Sequence, residues 1–314
     1  MTTNTPQKIL FYRFDTCLGD SVVHTFVVRE LKKLFPRAHL TLVTFAPNHL
    51  FWKNNPYVDE LLVLPVLGPV DQKFRYLRLP VLYGLVKALW HAYTGKYDRV
   101  IINLTRPTRN NTFYARLLPH TTWVTFDYSR HIIHSYEKLL CGLGAREIDT
   151  SYELPLTTSH RERAQQFLQQ HNLQQNRFWV LNPIGADKRR QLNTTQIHAL
   201  LNQFKQAGIP VVVLDYKNQF PELETSTVRC MSRDILDTAS VIELAAGVVT
   251  VDTGIVHVAD ALKKPMLVIY AKEVTPPHSF WKSLQPTTQF VQGENDINQI
   301  PVSVLTNALQ KMWK

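Results

Sequence analysis

Short apolar runs alternate with stretches whose apolar residues fall at helical spacing along the whole chain. In the first half the runs Lys8–Phe14, Ala38–Phe45, Glu60–Leu64, Asp98–Leu104 and Thr121–Thr125 read as strands, with helical patterns at about Asp20–Phe35, Lys73–Tyr93 and Ile132–Cys141. A second series of strands is expected at Phe178–Asn182, Pro210–Asp215, Val228–Cys230, Gly247–Val251 and Pro265–Tyr270. Alternation of this kind predicts β-α-β units and mostly parallel sheets. Between the two series lies Ser151–Arg177, whose polar, Gln-rich part reads as a helix and a linker. The expected organisation is one α/β domain over 1–155, a linker helix over 156–177, and a second α/β domain over 178–302. A last helix over 303–314, with apolar residues at Val304, Leu305, Ala308, Leu309 and Trp313, is expected to pack back on the first domain.

Composition narrows the class. With 314 residues, 45% of them hydrophobic, the chain is long enough for two ordinary soluble domains. Its three cysteines, Cys17, Cys141 and Cys230, are widely spaced and odd in number, which argues against a disulfide framework or a zinc motif and predicts a reducing cytoplasm. The first apolar run is interrupted at Arg13 and Asp15, so no signal-peptide core is expected, and no run approaches the ~20 apolar residues of a membrane span. The net charge is +10, and residues 1–155, with 19 Lys/Arg against 12 Asp/Glu, carry +7 of it. A basic first half favours an anionic partner. Nucleic acid is disfavoured, because no recognition helix, zinc finger or arginine-rich tail is present.

Three turns carry candidate chemistry. In Cys17-Leu18-Gly19-Asp20, a carboxylate at the start of a helix sits beside the positive end of the backbone dipole, which keeps it ionised and available as a base. The plainer reading is that Asp20 only caps the helix; Asp15 is a rival carboxylate on the same loop. In Asp252-Thr253-Gly254, with His257 one turn further on, the amides of a helix start are offered to a phosphate, unless this is an ordinary capped helix with a half-buried histidine. The loop Asn182-Pro183-Ile184-Gly185-Ala186-Asp187-Lys188-Arg189-Arg190 combines a glycine for close backbone approach with three consecutive cations, which suit a pyrophosphate whose charge grows as it leaves. Its alternative is a solvated basic loop. The stretch Tyr76–Tyr93 reads either as a helix packed on the sheet or as one lying on an anionic membrane surface. His131 and His134 recur at near-helical spacing, but no carboxylate or cysteine is expected to complete a metal site with them. Walker, Gly-x-Gly-x-x-Gly and Gly-x-Ser-x-Gly patterns are absent from the sequence.

Taken in order, Lys8-Ile9-Leu10 through Leu18-Gly19-Asp20, the segment Asn55-Pro56-Tyr57-Val58-Asp59-Glu60, the Asn182-Pro183 to Lys188 loop, and Asp252-Thr253-Gly254 to His257 followed by Ala261-Leu262 and Pro265 resemble the heptosyltransferases of glycosyltransferase family 9. The resemblance implies an α/β fold of GT-B type, two Rossmann-like parallel-sheet domains facing across a cleft. It also implies transfer of heptose from ADP-heptose to the inner core of lipopolysaccharide or lipooligosaccharide, with inversion and without a metal or other cofactor. Carried onto this sequence, Asp20 is the general base and Lys188 the cation at the diphosphate. Asn182, Gly185, Asp252, Thr253, Gly254 and His257 form the donor pocket, with Met231 and Arg233 toward the nucleobase. An anionic lipid-linked glycan acceptor would meet Gly19, Lys73, Arg75, Arg78, Arg106, Arg109 and Arg130, at the inner face of the cytoplasmic membrane. The chain departs from the family pattern at Arg190-Gln191-Leu192, where a tryptophan is usual after the Lys-Arg pair, and at Tyr270-Ala271-Lys272-Glu273, where a glycine followed by Pro-Thr is common. The competing expectations are a family member using a different nucleotide sugar, a non-catalytic two-lobed sugar-nucleotide binder, and a nucleotide-sugar epimerase.

Overall fold

Strands buried on both faces read as unbroken apolar runs, and in a computed structural model of the chain the predicted runs are strands. The structure describes residues 6–13, 17–64, 86–87, 90–91, 93–103, 121–185, 188–216, 218–220, 223, 227–232, 234–271, 278–293 and 296–313. Two compact units divide the chain, Met1–Ser151 and Tyr152–Lys314. Among the described residues no helix is long and apolar enough to cross a membrane.

In the first unit, β1 (Lys8–Arg13), β2 (His39–Phe45), β3 (Glu60–Leu64), β4 (Arg99–Asn103) and β5 (Thr121–Trp123) form a parallel sheet in the order β3-β2-β1-β4-β5. β1 is central, with Phe11 in register with Leu42 on one side and Ile101 on the other. Helix α1 (Leu18–Leu34) buries Val22, Val23, Phe26, Val27 and Leu31, and its last turn carries Lys32 and Lys33, where the helix dipole favours cations. Helix α2 (His49–Lys53) precedes β3, and α3 (Ile132–Gly142) follows β5. The Asn55–Glu60 segment braces this layer: Asp59 accepts the Leu40 amide at 2.7 Å and pairs with Lys32 of α1 at 2.6 Å. Buried Arg29 donates to the carbonyls of Asp149 and Ser151, which ties the last residues of the unit to α1. His131 caps α3 by accepting the Ile133 amide, and His134 pairs with Glu137 at 2.9 Å, so these two histidines have separate local roles.

In the second unit, β6 (Trp179–Asn182), β7 (Val211–Leu214), β8 (Val228–Cys230), β9 (Gly247–Val251), β10 (Met266–Tyr270) and β11 (Thr288–Gln292) form a parallel sheet in the order β11-β10-β9-β6-β7-β8. Its helices are α4 (Thr158–Gln170), α5 (Thr194–Gln206), α6 (Ile235–Leu244), α7 (Gly254–Ala261), α8 (His278–Trp281) and α9 (Val302–Lys311). The segment expected as a linker is part of this unit. Helix α4 packs on α6 through Arg161, forked onto Glu243 at 2.9 and 3.1 Å, and Arg163, paired with Asp237 at 2.6 Å. The last helix is likewise integrated here: α9 lies against α5 and β11 and buries Leu305 and Leu309 in a core with Trp179 and Phe204.

Gly247 opens β9 opposite Trp179 of β6, and a Cβ there would lie 2.6 Å from the indole ring. Trp179 is 6% exposed and packs edge-on to Trp313, so it has little room to give. Gly247→Ala should therefore destabilise the protein by about 1–3 kcal/mol. Urea denaturation checks this, and a midpoint equal to wild type would mean that the ring relaxes freely.

Candidate functional site

In an open parallel sheet, ligands bind outside the carboxyl ends of the strands where the strand order reverses. In the first unit that place is between β1 and β4, where Arg13 is in register with Asn103. Arg13 is fully buried. Its Nε donates to Nδ1 of His24 at 2.9 Å, its Nη2 donates to Ser21 Oγ at 3.0 Å, and its guanidinium lies 5.1 Å from the centre of the Trp52 ring. Because Arg Nε can only donate, His24 Nδ1 must accept. The neutral ring then carries its proton on Nε2, which donates to the Tyr136 hydroxyl oxygen. Burial, reinforced by the charge of Arg13, holds the His24 pKa well below the usual histidine range.

This network pins α1 to the sheet. Cys17 is the N-cap residue of α1 and makes no side-chain cap bond, while Asp20 lies three residues further in, half-buried in the first turn. Asp20 is therefore not the N-cap residue, and in the first turn its carboxylate lies near the positive end of the helix dipole. Asp20 and His24 are one turn apart on the same helix face.

In the second unit the order reverses between β6 and β9, and Asn182 ends β6 in register with Thr250. Buried Asn182 donates from Nδ2 to Thr250 Oγ1 and to Thr253 Oγ1, both at 3.0 Å. Thr253 is the N-cap of α7 and accepts the Ile255 amide at 3.3 Å. With two donors aimed at its oxygen, the Thr253 hydroxyl can direct its own proton to an anion at the start of α7. His257 is buried one turn in, with its ring edge-on to Tyr152 at 6.2 Å and Trp281 at 5.9 Å. The basic loop folds back over itself. Leu192 donates its amide to Pro183 O at 3.0 Å, and a 3-10 turn at Lys188–Arg190 places Lys188 exposed and Arg190 half-buried.

A family model described as glycosyltransferase family 9 (heptosyltransferase) matches residues 117–310. The chain belongs to that family. It is 22% identical over 318 residues to the protein named "Putative lipopolysaccharide heptosyltransferase 4" of Escherichia coli K12, covering 94% of this chain and 84% of that one. Its structure is similar to a family 9 glycosyl transferase of Veillonella parvula, with a TM-score of 0.80, 18% identity, and coverage of 98% of this chain and 97% of that one. It is also similar to the E. coli ADP-heptose lps heptosyltransferase II, with a TM-score of 0.71, 15% identity, and coverage of 97% and 98%. The family 9 chain is a glycosyltransferase, and its two parallel-sheet units have the GT-B fold.

Of the residues singled out in the sequence, Asn182, Thr253 and Gly254 are assembled at one sheet edge, with Asp252 and His257 beside them. Gly19 is buried in the first turn of α1 next to Asp20. Gly185 is a place of close backbone approach. A Cβ at this position would lie 2.0 Å from the Arg190 carbonyl oxygen, so the close approach is to the loop's own backbone. Met231 is exposed in the turn from β8 to α6, and Arg130 is exposed in the turn before α3. Asp15, Lys73, Arg75, Arg78, Arg106, Arg109 and Arg233 lie outside the described residues, as do Lys272 and Glu273.

The sequence reading missed Arg13, His24 and Tyr136, for which the one signal was an arginine inside an apolar run. The loop Met231–Asp234 was a candidate for the nucleobase edge, but the capping of α6 by Asp234 was missed, as was the group His160, Asp234 and Asp237, whose ligand atoms lie within 4.8 Å of one another. Those three side chains already serve the α4–α6 joint. His160 accepts the Thr157 amide, Asp234 accepts the Leu236 amide, and Asp237 pairs with Arg163.

Asp260 lies three residues past His257 in α7 and accepts a hydrogen bond from Ser283 Oγ. Burial pushes its carboxyl up to about 7, against the lowering effect of Ser283. An unfolded carboxyl titrates near 4, so the folded protein holds an extra proton between about pH 4 and pH 7. The stability this provides is fully present at acid pH and is lost as pH rises through that window, by roughly 4 kcal/mol. Asp260→Asn should remove that slope. In urea denaturation at pH 5 and pH 7.5 the variant gains on wild type as pH rises, whereas parallel pH dependences would place the Asp260 pKa in the ordinary range.

Proposed function

We propose that this family 9 enzyme transfers heptose from ADP-heptose to the inner core of lipopolysaccharide or lipooligosaccharide, with inversion and without a metal. The observation that carries the reading is the Asn182-braced, Thr253-capped start of α7 at the reversal of the second sheet, in a family whose E. coli member heptosyltransferase II is named for ADP-heptose. Displacement at an anomeric carbon takes a base for the incoming hydroxyl and stabilisation of the departing diphosphate. Asp20, in the first turn of α1, is the base that removes the acceptor proton. Lys188, the Gly254 amide and the Thr253 hydroxyl receive the charge that builds on the leaving ADP. Asp252 and His257 border the donor pocket beside them, Gly185 lets the cation loop close, and Met231 and Arg233 are assigned to the nucleobase.

The basic first half suits an acceptor carrying phosphate and acidic sugars, with Gly19 and Arg130 among its contacts together with Lys73, Arg75, Arg78, Arg106 and Arg109. Peripheral contact with the inner face of the membrane is supported by exposed Val86, Trp90 and Tyr93, which are 54%, 71% and 58% exposed at four- and three-residue spacing beside Lys87.

Two measurements test the reading together. ADP should raise the melting temperature more than UDP, GDP or CMP does. Asp20→Asn should keep that stabilisation while turnover falls about 10²- to 10⁴-fold, because a base acts in the chemical step alone. Undiminished turnover in Asp20→Asn would remove it from the mechanism, and preference for another nucleotide would replace the donor.

A further inference from the structure

The three consecutive cations after β6 are not equivalent. Lys188 and Arg189 are exposed, but Arg190 is 26% exposed, and its Nη1 lies 3.3 Å from Oδ2 of Asp252, itself 21% exposed. Asp252 immediately precedes Thr253, the cap of α7, so its carboxylate stands where an incoming diphosphate would be repelled. The position of Arg190 is built by its neighbours. Its carbonyl packs where a side chain on Gly185 would be, the Leu192 amide closes the loop onto Pro183, and Asn298 Nδ2 donates to Lys188 O at 3.1 Å.

We propose that Arg190 is a positioning residue of the donor site: by pairing with Asp252 it turns the entrance of α7 from acidic to neutral, so that a nucleoside diphosphate is received there. The inference rests on the donor reading of Asp252–His257. Arg190 acts through Asp252, whereas Lys188 meets the diphosphate itself. The charge of Asp252 is cancelled before ligand arrives, and the amides and hydroxyl at the start of α7 are left to bind it.

The test is binding of ADP, UDP and inorganic pyrophosphate by titration calorimetry at low salt. The proteins compared are wild type, Arg190→Ala, Arg190→Gln, Arg190→Lys, Asp252→Asn and the double variant Arg190→Ala/Asp252→Asn, with far-ultraviolet dichroism and melting temperature confirming that each folds. Arg190→Ala and Arg190→Gln should each weaken diphosphate binding about tenfold, and Arg190→Lys should restore most of it. On the Asp252→Asn background, loss of Arg190 should cost less than about twofold, the signature of coupled residues. Unchanged binding in both Arg190→Ala and Arg190→Gln overturns the proposal, as does a tenfold loss that persists when Asp252 is neutral. If UDP binds and ADP does not, the adenine reading falls and the Arg190 comparison is made with UDP. A folded wild type that binds no diphosphate overturns both the donor reading and this inference.

Discussion

A parallel sheet that grows outward from its first strand in both directions must reverse its order once, and at that reversal two neighbouring loops leave the sheet in opposite directions. Everything chemical in this chain depends on that constraint, met twice. In the first sheet the reversal lies between β1 and β4, and in the second between β6 and β9. Asp20, Arg13 and His24 belong to the first edge, and Asn182, Thr253 and the Lys188–Arg190 turn to the second. The strands beneath need only be apolar and continuous. That separation lets the core stay generic while the loops carry the specificity.

The two edges hold their polar groups in different ways. The first buries a cation completely, with His24, Ser21 and the face of Trp52 among its partners. A buried guanidinium is costly unless its donors are met, so the network fixes the geometry of α1 more than it adds to stability. Histidine suits that task only while neutral, and its burial beside Arg13 keeps it so. The second edge uses backbone amides and short side chains. Asn182 fixes Thr250 and Thr253 at once, and the cap of α7 is therefore tied to the strand beside it. The first arrangement is closed and rigid, the second open to an anion.

Much of this was legible in the sequence, for definite reasons. Strands such as Ile9–Tyr12 and Met266–Tyr270 are buried on both faces, so their apolar runs are unbroken. The β11 strand escaped notice because Thr288 and Gln289 are half-buried and Phe290 and Gln292 exposed, which leaves a polar edge with no run. Helix α4 looked like a linker because its surface is polar. What integrates it is Arg161 on Glu243 and Arg163 on Asp237, pairs separated by 82 and 74 positions that no local pattern displays. Asn182, Thr253 and Gly254, which the family motifs single out, are neighbours in the structure. They could not show that Gly185 serves the Arg190 carbonyl, because that contact depends on how the loop closes.

The same reasoning explains why the departures from the family pattern fall where they do. A substitution under the sheet must conserve volume, as the contact between Gly247 and Trp179 illustrates. At the reversal edge a side chain has neighbours on one side and solvent or ligand on the other, so its constraint is electrostatic. Arg190 brings a charge to that edge, and a charge there must be answered. Asp252 at 3.3 Å answers it, and the pair is compatible with an anion-receiving helix start because its two charges cancel close to the ligand position. Chemistry at such an edge can therefore drift by compensated pairs while the sheets that present it stay the same.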